Sequence, residues 1–358
     1  MRIGLVGCGH IGTVHAYALE QLHLTGLVDA RLVATYDADP ERAARLAGNH
    51  GGTPMARLDD LLDAVDVVWV CTWTAGHLEA VTAAVARNLP VFCEKPLAPD
   101  LTDCLRIAEL LGQVPHQVGL VLRHAPVFRN VADIVGSLRY GAPMAVVFRD
   151  DQYFPIQGMY GSTWRSDVAK AGGGTLIEHS IHDVDVLAGI VGAPVSVTAH
   201  TASRFGYPGI EDTATVGLAY AQGASAALVS VWHQVTTRPS TRRLEVFCED
   251  AFLWTEDDYL GPLHVETSDG TEVISGEPPA WIDRLAVPEV LAKPLAQYCE
   301  PSKAFLDALS GSGGAARGFP DVELALAAHR VVDAAYTSAA NGGAPIALSD
   351  PLGRAKIA

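Results

Sequence analysis

At 358 residues the chain exceeds what one small core organises, so two domains are expected. With 49% hydrophobic and 18% charged residues it has the composition of a well-packed globular protein, which excludes a disordered one. A formal net charge of −16 speaks against a nucleic-acid or anionic-membrane partner, and makes no case for a cationic substrate.

The chain opens on a short apolar strand over 3–6, with no basic and apolar leader pattern, so no secretory signal is expected. Gly7-Cys8-Gly9-His10-Ile11-Gly12 follows, and then a helix through residue 22. A second strand over 31–36 ends in Asp37. A bare G-x-G-x-x-G is a weak signal, but here it follows a strand, opens a helix and precedes an acid at the next strand's tip. In that setting Gly7 allows the tight turn and Gly9 lets the backbone approach a pyrophosphate held at the helix N-terminus. Gly12 lets helix and strand pack closely. Asp39-Pro40-Glu41 opens another helix. Strands over 67–72, 90–93 and 116–122 alternate with helices over 77–87 and 101–111. This βαβ rhythm predicts a doubly wound parallel sheet with helices on both faces.

After Arg123 the rhythm changes. Strands over 143–149, 195–201, 212–219, 224–232 and 243–247 are punctuated by turns at Gln222-Gly223 and Ser268-Asp269-Gly270. A helix over 175–191 interrupts them, and a long one over 321–340 comes near the end. The reading is α/β: a Rossmann domain over 1–122, then an α+β domain over 123–358 on a largely antiparallel open sheet. The last helix could pack back on the first domain. No repeat is visible, only a small Gly/Ser/Ala patch over 310–318. The six cysteines are scattered with no C-x-x-C pair, as for reduced, buried thiols in a cytoplasmic protein. No apolar run is long enough to span a bilayer.

Two segments could carry chemistry. Glu94-Lys95-Pro96 follows the strand over 90–93, and ligands in open α/β sheets bind beyond the carboxyl ends of the strands. On position alone Lys95 is either able to reach a ligand over a nicotinamide or a surface lysine in a loop. The second segment is Gly172-Gly173-Gly174-Thr175 continuing through Glu178, His179, Ser180, His182, Asp183 and Asp185. Three glycines permit close approach to a ligand at a helix start. On one continuous helix Glu178 and His182, four apart, share a face. The alternative for His182 is a satisfied, half-buried histidine. His179 and His182 could also meet Glu178 or Asp183 on a metal. With no H-E-x-x-H pattern and no further His/Cys cluster, no metal is expected.

Taken together, the glycine fingerprint, Cys71-Thr72-Trp73-Thr74-Ala75-Gly76-His77, Glu94-Lys95-Pro96, Trp164-Arg165 and the triple-glycine segment with His182 resemble the Gfo/Idh/MocA oxidoreductases, which include glucose–fructose oxidoreductase and inositol dehydrogenases. The resemblance covers nearly the whole chain. It implies a Rossmann domain, then an α/β domain whose open sheet makes homodimer or homotetramer contacts. It implies a nicotinamide cofactor, a cis Lys95–Pro96 bond, and Lys95 with His182 as the catalytic pair. Three residues depart from the family pattern: Trp73 stands for proline, Glu178 for aspartate and Ser180 for glycine.

The function expected is hydride transfer between NAD and a carbinol carbon of a sugar, sugar derivative or cyclitol. His182 would act as base and Lys95 as the cation that stabilises the alkoxide. Substrate contacts are expected from Glu178, Arg165, Trp164 and Arg123, with Asp185 orienting His182. Trp164 could equally be a core residue and Arg123 a surface ion pair. Tyr153, His233 and Arg238 read as structural. Cofactor contacts are expected from Gly7, Gly9, His10, Ile11, Gly12, Asp37, Thr72, Trp73, His77, Glu94 and Lys95. Asp37 favours NAD over NADP, because a carboxylate accepts from ribose hydroxyls and repels a 2′-phosphate, and neither Ala38 nor Asp39 can neutralise one. The alternatives are an NAD-assisted glycoside hydrolase and a non-catalytic NAD-binding regulator. The sequence leaves open which sugar, which carbon and which direction.

Overall fold

A computed structural model describes residues 1–157, 161–311 and 320–348, so the Gly/Ser/Ala patch lies outside the described residues beyond Gly311. The chain divides into two compact units. One comprises Met1–His124 with Pro278–Leu326, the other Ala125–Glu277 with the chain from Ala327 onward. The first division falls two residues after the expected cut at 122, and 278–326, expected in the second domain, groups with the first unit.

In the first unit β1 (Arg2–Val6), α1 (His10–Leu24), β2 (Arg31–Tyr36), α2 (Pro40–His50), β3 (Thr53–Pro54) and α3 (Leu58–Leu62) alternate. The alternation continues with β4 (Val67–Val70), α4 (His77–Val85), β5 (Val91–Cys93), α5 (Leu101–Leu111) and β6 (His116–Val118). All strands pair in parallel, in the order β3-β2-β1-β4-β5-β6. The order reverses direction between β1 and β4, the switch point where a doubly wound sheet takes its ligand. Every residue of β4 is buried, as expected of a strand covered on both faces. Asp39 and Asp100 cap α2 and α5 through their side chains. The strand expected through 122 stops at Val118 and gives way to a 3₁₀ turn at Val121–His124 that carries Arg123.

In the second unit α6 (Pro126–Gly136), which the sequence reading missed, precedes β7 (Pro143–Tyr153), α7 (Val168–Ala171), α8 (Thr175–Glu178) and α9 (Ile181–Ile190). Then come β8 (Pro194–Ala202), β9 (Thr213–Tyr220), β10 (Ser225–His233), β11 (Thr241–Cys248), β12 (Phe252–Thr255), β13 (Leu263–Thr267) and β14 (Gly270–Ile274). With β15 (Ile346–Ala347) they form a nine-stranded sheet, antiparallel except for the β7–β10 pair. Gly223 and Gly270, at φ +91° and +137°, make the two expected turns. Burial alternates along β9, β10 and β11, so one face is core and the other is open. Met144 and Val147 on β7, Phe247 on β11 and Val273 on β14 are exposed apolar residues of the sheet.

The helix expected over 175–191 is interrupted. α8 ends at Glu178, His179 leaves the helical region at φ −125° and ψ −60°, and α9 starts at Ile181. A further helix of 22 residues, α10 (Glu289–Ser310), belongs to the first unit, and α11 (Val322–Ala340) contains the second division. α10 holds Pro294 and Pro301 in its interior. An interior proline costs about 3 kcal/mol, which is why the segment does not read as a helix. Its buried Leu295, Ala296, Cys299, Phe305 and Leu306 recur at helical spacing. All six cysteines are free and buried. Among the described residues no helix is long and apolar enough to cross a membrane.

Candidate active site

In the first unit, the expected residues gather at the carboxyl ends of β1, β2, β4 and β5. Gly7 sits at φ +96°, and a Cβ there would lie 2.5 Å from the main chain of Cys71 and Thr72. A Cβ on Gly12 would lie 2.1 Å from the Gly7 carbonyl oxygen. Both positions are therefore glycine because the protein's own backbone fills the space. Gly9 differs: a Cβ there would meet nothing within 4 Å, and no side chain caps α1. That leaves an opening at a helix N-terminus, where donors and dipole suit a phosphate. Asp37 is anchored beside it, its Oδ2 accepting the Cys8 N–H at 2.7 Å and its Oδ1 the Asp39 N–H at 2.8 Å. Each oxygen keeps a further acceptor direction. These residues fit a dinucleotide. Burial, with the Asp37 charge, pushes the Cys8 thiol up to about 12, so the cysteine within the loop stays neutral.

The turns after β4 and β5 are fastened to each other. His77 is buried, with Nδ1 at 2.9 Å from the Pro96 oxygen and 3.2 Å from that of Leu97, and Nε2 at 3.2 Å from the Thr72 oxygen. Burial, against the pull of Glu94 and these carbonyls, holds His77 below its ordinary pKa. Both its ring nitrogens thus face the main chain. Trp73 is exposed, with its indole beside Gly76. The Lys95–Pro96 peptide is cis. Glu94 is buried, and its Oε1 lies 2.7 Å from Nε2 of His15 on α1. Burial would raise the Glu94 carboxyl, but His15 and Lys95 outweigh it and hold the pKa below the usual value.

In the second unit, the triple-glycine segment is occupied by the protein itself. The Glu211 carboxylate accepts the Gly174 N–H at 2.7 Å, the Leu176 N–H at 2.9 Å and the Tyr336 hydroxyl at 2.9 Å. A Cβ on Gly174 would lie 1.8 Å from the main-chain carbonyl oxygen of Glu211. The expectation that these glycines admit a ligand is corrected at Gly174, where they admit Glu211 and its main chain.

The helix break has a polar cause. Asp150, wholly buried on β7, accepts the Ser180 hydroxyl at 3.0 Å and faces His179 Nδ1 at 3.1 Å through the same Oδ2. Ser180 also reaches Ser230 Oγ at 2.7 Å, which meets Thr175 at 2.7 Å. On the other side Arg242, itself buried, donates from Nε to Asp183 at 2.7 Å and from Nη1 to Asp258 at 2.9 Å, with Nη2 at 3.6 Å from Asp150. Burial, with the Asp150 charge and against Arg242, pushes the Asp183 carboxyl up to about 8. Burial opposes ionisation of Asp150 too, but Arg242 and His179 prevail and hold it well below the usual range. One carboxyl therefore keeps its proton while the other is charged. A side-chain hydrogen bond between the two carboxyls favours the proton on Asp183 and the charge on Asp150.

Glu178, buried, bonds Arg165 Nε at 2.9 Å, and the Arg165 guanidinium lies 4.3 Å over the Trp164 ring. Trp164 in turn packs on the cluster of Phe154, Ile156, Ala171, Ile210 and Trp232. The structure thus joins three of the expected substrate residues, but Glu178 and His182 do not share one helix face, because the helix breaks between them. His182 and Asp185 are both buried on α9. Arg238 grips Asp151 at 2.7 and 3.1 Å, His233 Nε2 lies 3.7 Å from it, and the Tyr153 ring meets that of His233 edge-on. His15, Asp150, Glu211 and Arg242 were missed by sequence reasoning. Asp is depleted from strands, so the Asp150-Asp151 doublet was the available signal, read instead as the strand's end.

Residues 1–120 match the oxidoreductase family with an NAD-binding Rossmann fold, GFO/IDH/MocA, and residues 128–253 match the GFO/IDH/MocA C-terminal domain. An inositol 2-dehydrogenase from Rhizobium meliloti is 30% identical over 283 residues, 75% of this chain and 80% of that protein. Inositol 2-dehydrogenase 3 from Saccharopolyspora erythraea is 33% identical over 57% of this chain, and the match spans 59% of that protein, so little over half of its length is covered. Among solved structures, a Sinorhizobium meliloti protein assigned as a myo-inositol dehydrogenase is 26% identical with a TM-score of 0.75, covering 98% of this chain and 100% of that one. Levoglucosan dehydrogenase in complex with NADH and L-sorbose shares the fold, with a TM-score of 0.84, 18% identity and coverage of 98% and 99%. By both of its matched segments, the chain belongs to the GFO/IDH/MocA family of oxidoreductases.

Proposed function

We propose that the protein is an NAD-dependent dehydrogenase or reductase acting on a CH–OH group of a sugar, sugar derivative or cyclitol. The observation that carries the reading is the open glycine turn at Gly9, with Asp37 anchored beside it, in a chain similar to inositol 2-dehydrogenases. Bound NAD would supply the hydride acceptor. His182 takes the hydroxyl proton in the oxidation direction, and a histidine's ordinary pKa suits that work. Lys95 stabilises the developing alkoxide. Glu178 and Arg165 hold neighbouring hydroxyls, Trp164 and Arg123 bound the substrate, and Asp185 orients His182. Gly7, Gly9, His10, Ile11 and Gly12 receive the pyrophosphate, while Thr72, Trp73, Glu94 and Lys95 serve the nicotinamide end. His77 contributes by fastening two turns through main-chain carbonyls. Asp37 selects NAD over NADP by receiving ribose hydroxyls and repelling a 2′-phosphate. The open sheet face with Met144, Val147, Phe247 and Val273 supports a homodimer or homotetramer.

The test is a panel of cyclitols, sugars and keto-sugars with NAD or NADP, read by absorbance of the reduced cofactor. Turnover of a polyol with NAD preferred is the expected result. Glycoside cleavage without added NAD would replace the reading with the hydrolase, and NAD binding without any turnover across the panel would replace it with a regulator.

A further inference from the structure

We infer that His15 and Glu94 form a buried positioning pair for Lys95, tying the main chain at that lysine to the helix that opens at the glycine turn. The inference rests on the dehydrogenase reading, in which Lys95 touches the reacting hydroxyl. Both Glu94 oxygens are committed. Oε1 lies 2.7 Å from His15 Nε2, and Oε2 accepts the Lys95 N–H at 3.1 Å. The carboxylate is also pressed against Gly119, where a Cβ would lie 2.7 Å from Oε1, so the chain leaves this space for it.

The His15 ring is held edge-on between Phe92 at 5.1 Å and Tyr298 at 5.7 Å, which fixes the direction of its Nε2–H. Neither partner reaches water: His15 is 0% and Glu94 5% exposed. An uncompensated buried carboxylate costs several kcal/mol, so the histidine is what allows Glu94 to stay charged beside Lys95. A carboxylate next to an ammonium favours the charged form of both. The pair therefore fixes a negative charge beside Lys95, whose work in the dehydrogenase reading is electrostatic. His15 stands five residues beyond His10 on α1, so movement of the phosphate-binding turn and movement of Lys95 share one rigid connection.

The test uses the full chain with His15→Leu, His15→Gln and Glu94→Gln. Readouts are kcat and KM on the polyol that the wild type turns over, NADH binding by fluorescence titration, and the rate of amine labelling at Lys95 by mass spectrometry. The chain has only five lysines, so Lys170, Lys293 and Lys303 serve as internal standards. A lysine displaced by about 1 Å can lose on the order of 100-fold in rate. His15→Leu and Glu94→Gln should therefore lower kcat by about 10–100-fold while KM stays within about 3-fold in both and NADH affinity within about 3-fold in His15→Leu. His15→Gln, which keeps an N–H donor near the Nε2 position, should recover most of kcat. Lys95 labelling should accelerate severalfold in Glu94→Gln relative to the standards.

Near-normal kcat in folded His15→Leu overturns the inference, as does parallel loss of kcat and NADH binding in every variant. Should His15→Leu not fold, His15→Gln and Glu94→Gln decide it. The labelling ratio needs no substrate. If the protein turns over no polyol, an accelerated Lys95 still supports the pair, and an unchanged one still removes it.

Discussion

The two units hold chemically active groups by different means. In the first, position comes from the main chain: Gly7 and Gly12 pack against backbone, Gly9 stands open, and Asp37 is fixed by two N–H groups. In the second, position comes from buried polar groups: Asp150 and Arg242 hold the start of α9 through Ser180 and Asp183, and Glu211 caps α8. Main-chain devices need particular residues at fixed spacing, so they leave a local trace in the sequence. Charge brackets are assembled from distant positions, Arg242 and Asp183 being 59 residues apart, and leave almost none.

The largest effect should fall in the second unit. His182→Ala should lower kcat by about 10²–10⁴-fold, the range of general acid–base help, with NAD affinity little changed. Lys95→Ala should also act on kcat, and the double variant should lose less than the product of the single effects. Near-normal kcat for His182→Ala on the true substrate would leave His182 a structural histidine and erase the contrast.

Next comes the bracket itself. Arg242→Met leaves two buried acids without their cation and should cost about 3–5 kcal/mol in urea unfolding. Asp150→Asn should also destabilise strongly, because it removes the charge facing Arg242 and His179. Asp183→Asn should be the mildest, since an amide resembles the protonated acid. Equal losses from Asp150→Asn and Asp183→Asn would contradict the assignment of charge within the pair.

The same pair makes a pH prediction. The native Asp183 carboxyl is raised to about 8, above its unfolded value, so the native state retains a proton that the unfolded chain releases. Its contribution to stability is fully present in acid and is lost as pH rises from the ordinary carboxylate range through about 8. Unfolding free energy should fall more steeply over that interval in the wild type than in Asp183→Asn. Parallel curves would show that Asp183 does not hold the proton.

The smallest effect belongs to the first unit. Asp37→Ser removes the charge set against a 2′-phosphate and should narrow the ratio of NAD to NADP turnover. An unchanged ratio would move cofactor choice elsewhere.

Much of the first unit was legible. The strand at Arg31–Tyr36 and the helix at Leu101–Leu111 fall where periodicity puts them, because buried parallel strands and capped amphipathic helices obey local rules. α10 was not legible, since Pro294 and Pro301 argue against a helix that packing on α1 nevertheless supports. The interruption at His179 and Ser180 was hidden for another reason. The segment 175–191 is helical by pattern, and what opens it is Asp150, a residue some thirty positions away. Of the candidate site, the glycine turn, Asp37 and the Glu94–Pro96 turn stood out by spacing. Arg165 with Glu178 stood out by motif. His15 did not, because one histidine on an amphipathic helix carries no mark of its partner.

The Glu211 cap bears on how this chain can drift. Gly174 tolerates no side chain because the main chain of Glu211 lies where a Cβ would go, and Glu211 cannot shorten or lose its charge without stranding the N–H groups of Gly174 and Leu176. Each substitution is damaging whatever stands at the other position, because a Cβ on Gly174 meets main chain and the Glu211 carboxylate serves main-chain N–H groups. Both positions are constrained by the same stretch of main chain, and Tyr336 joins them through its hydroxyl on the same carboxylate. A lineage that changed substrate could remodel the exposed Trp73 and still carry this trio unaltered.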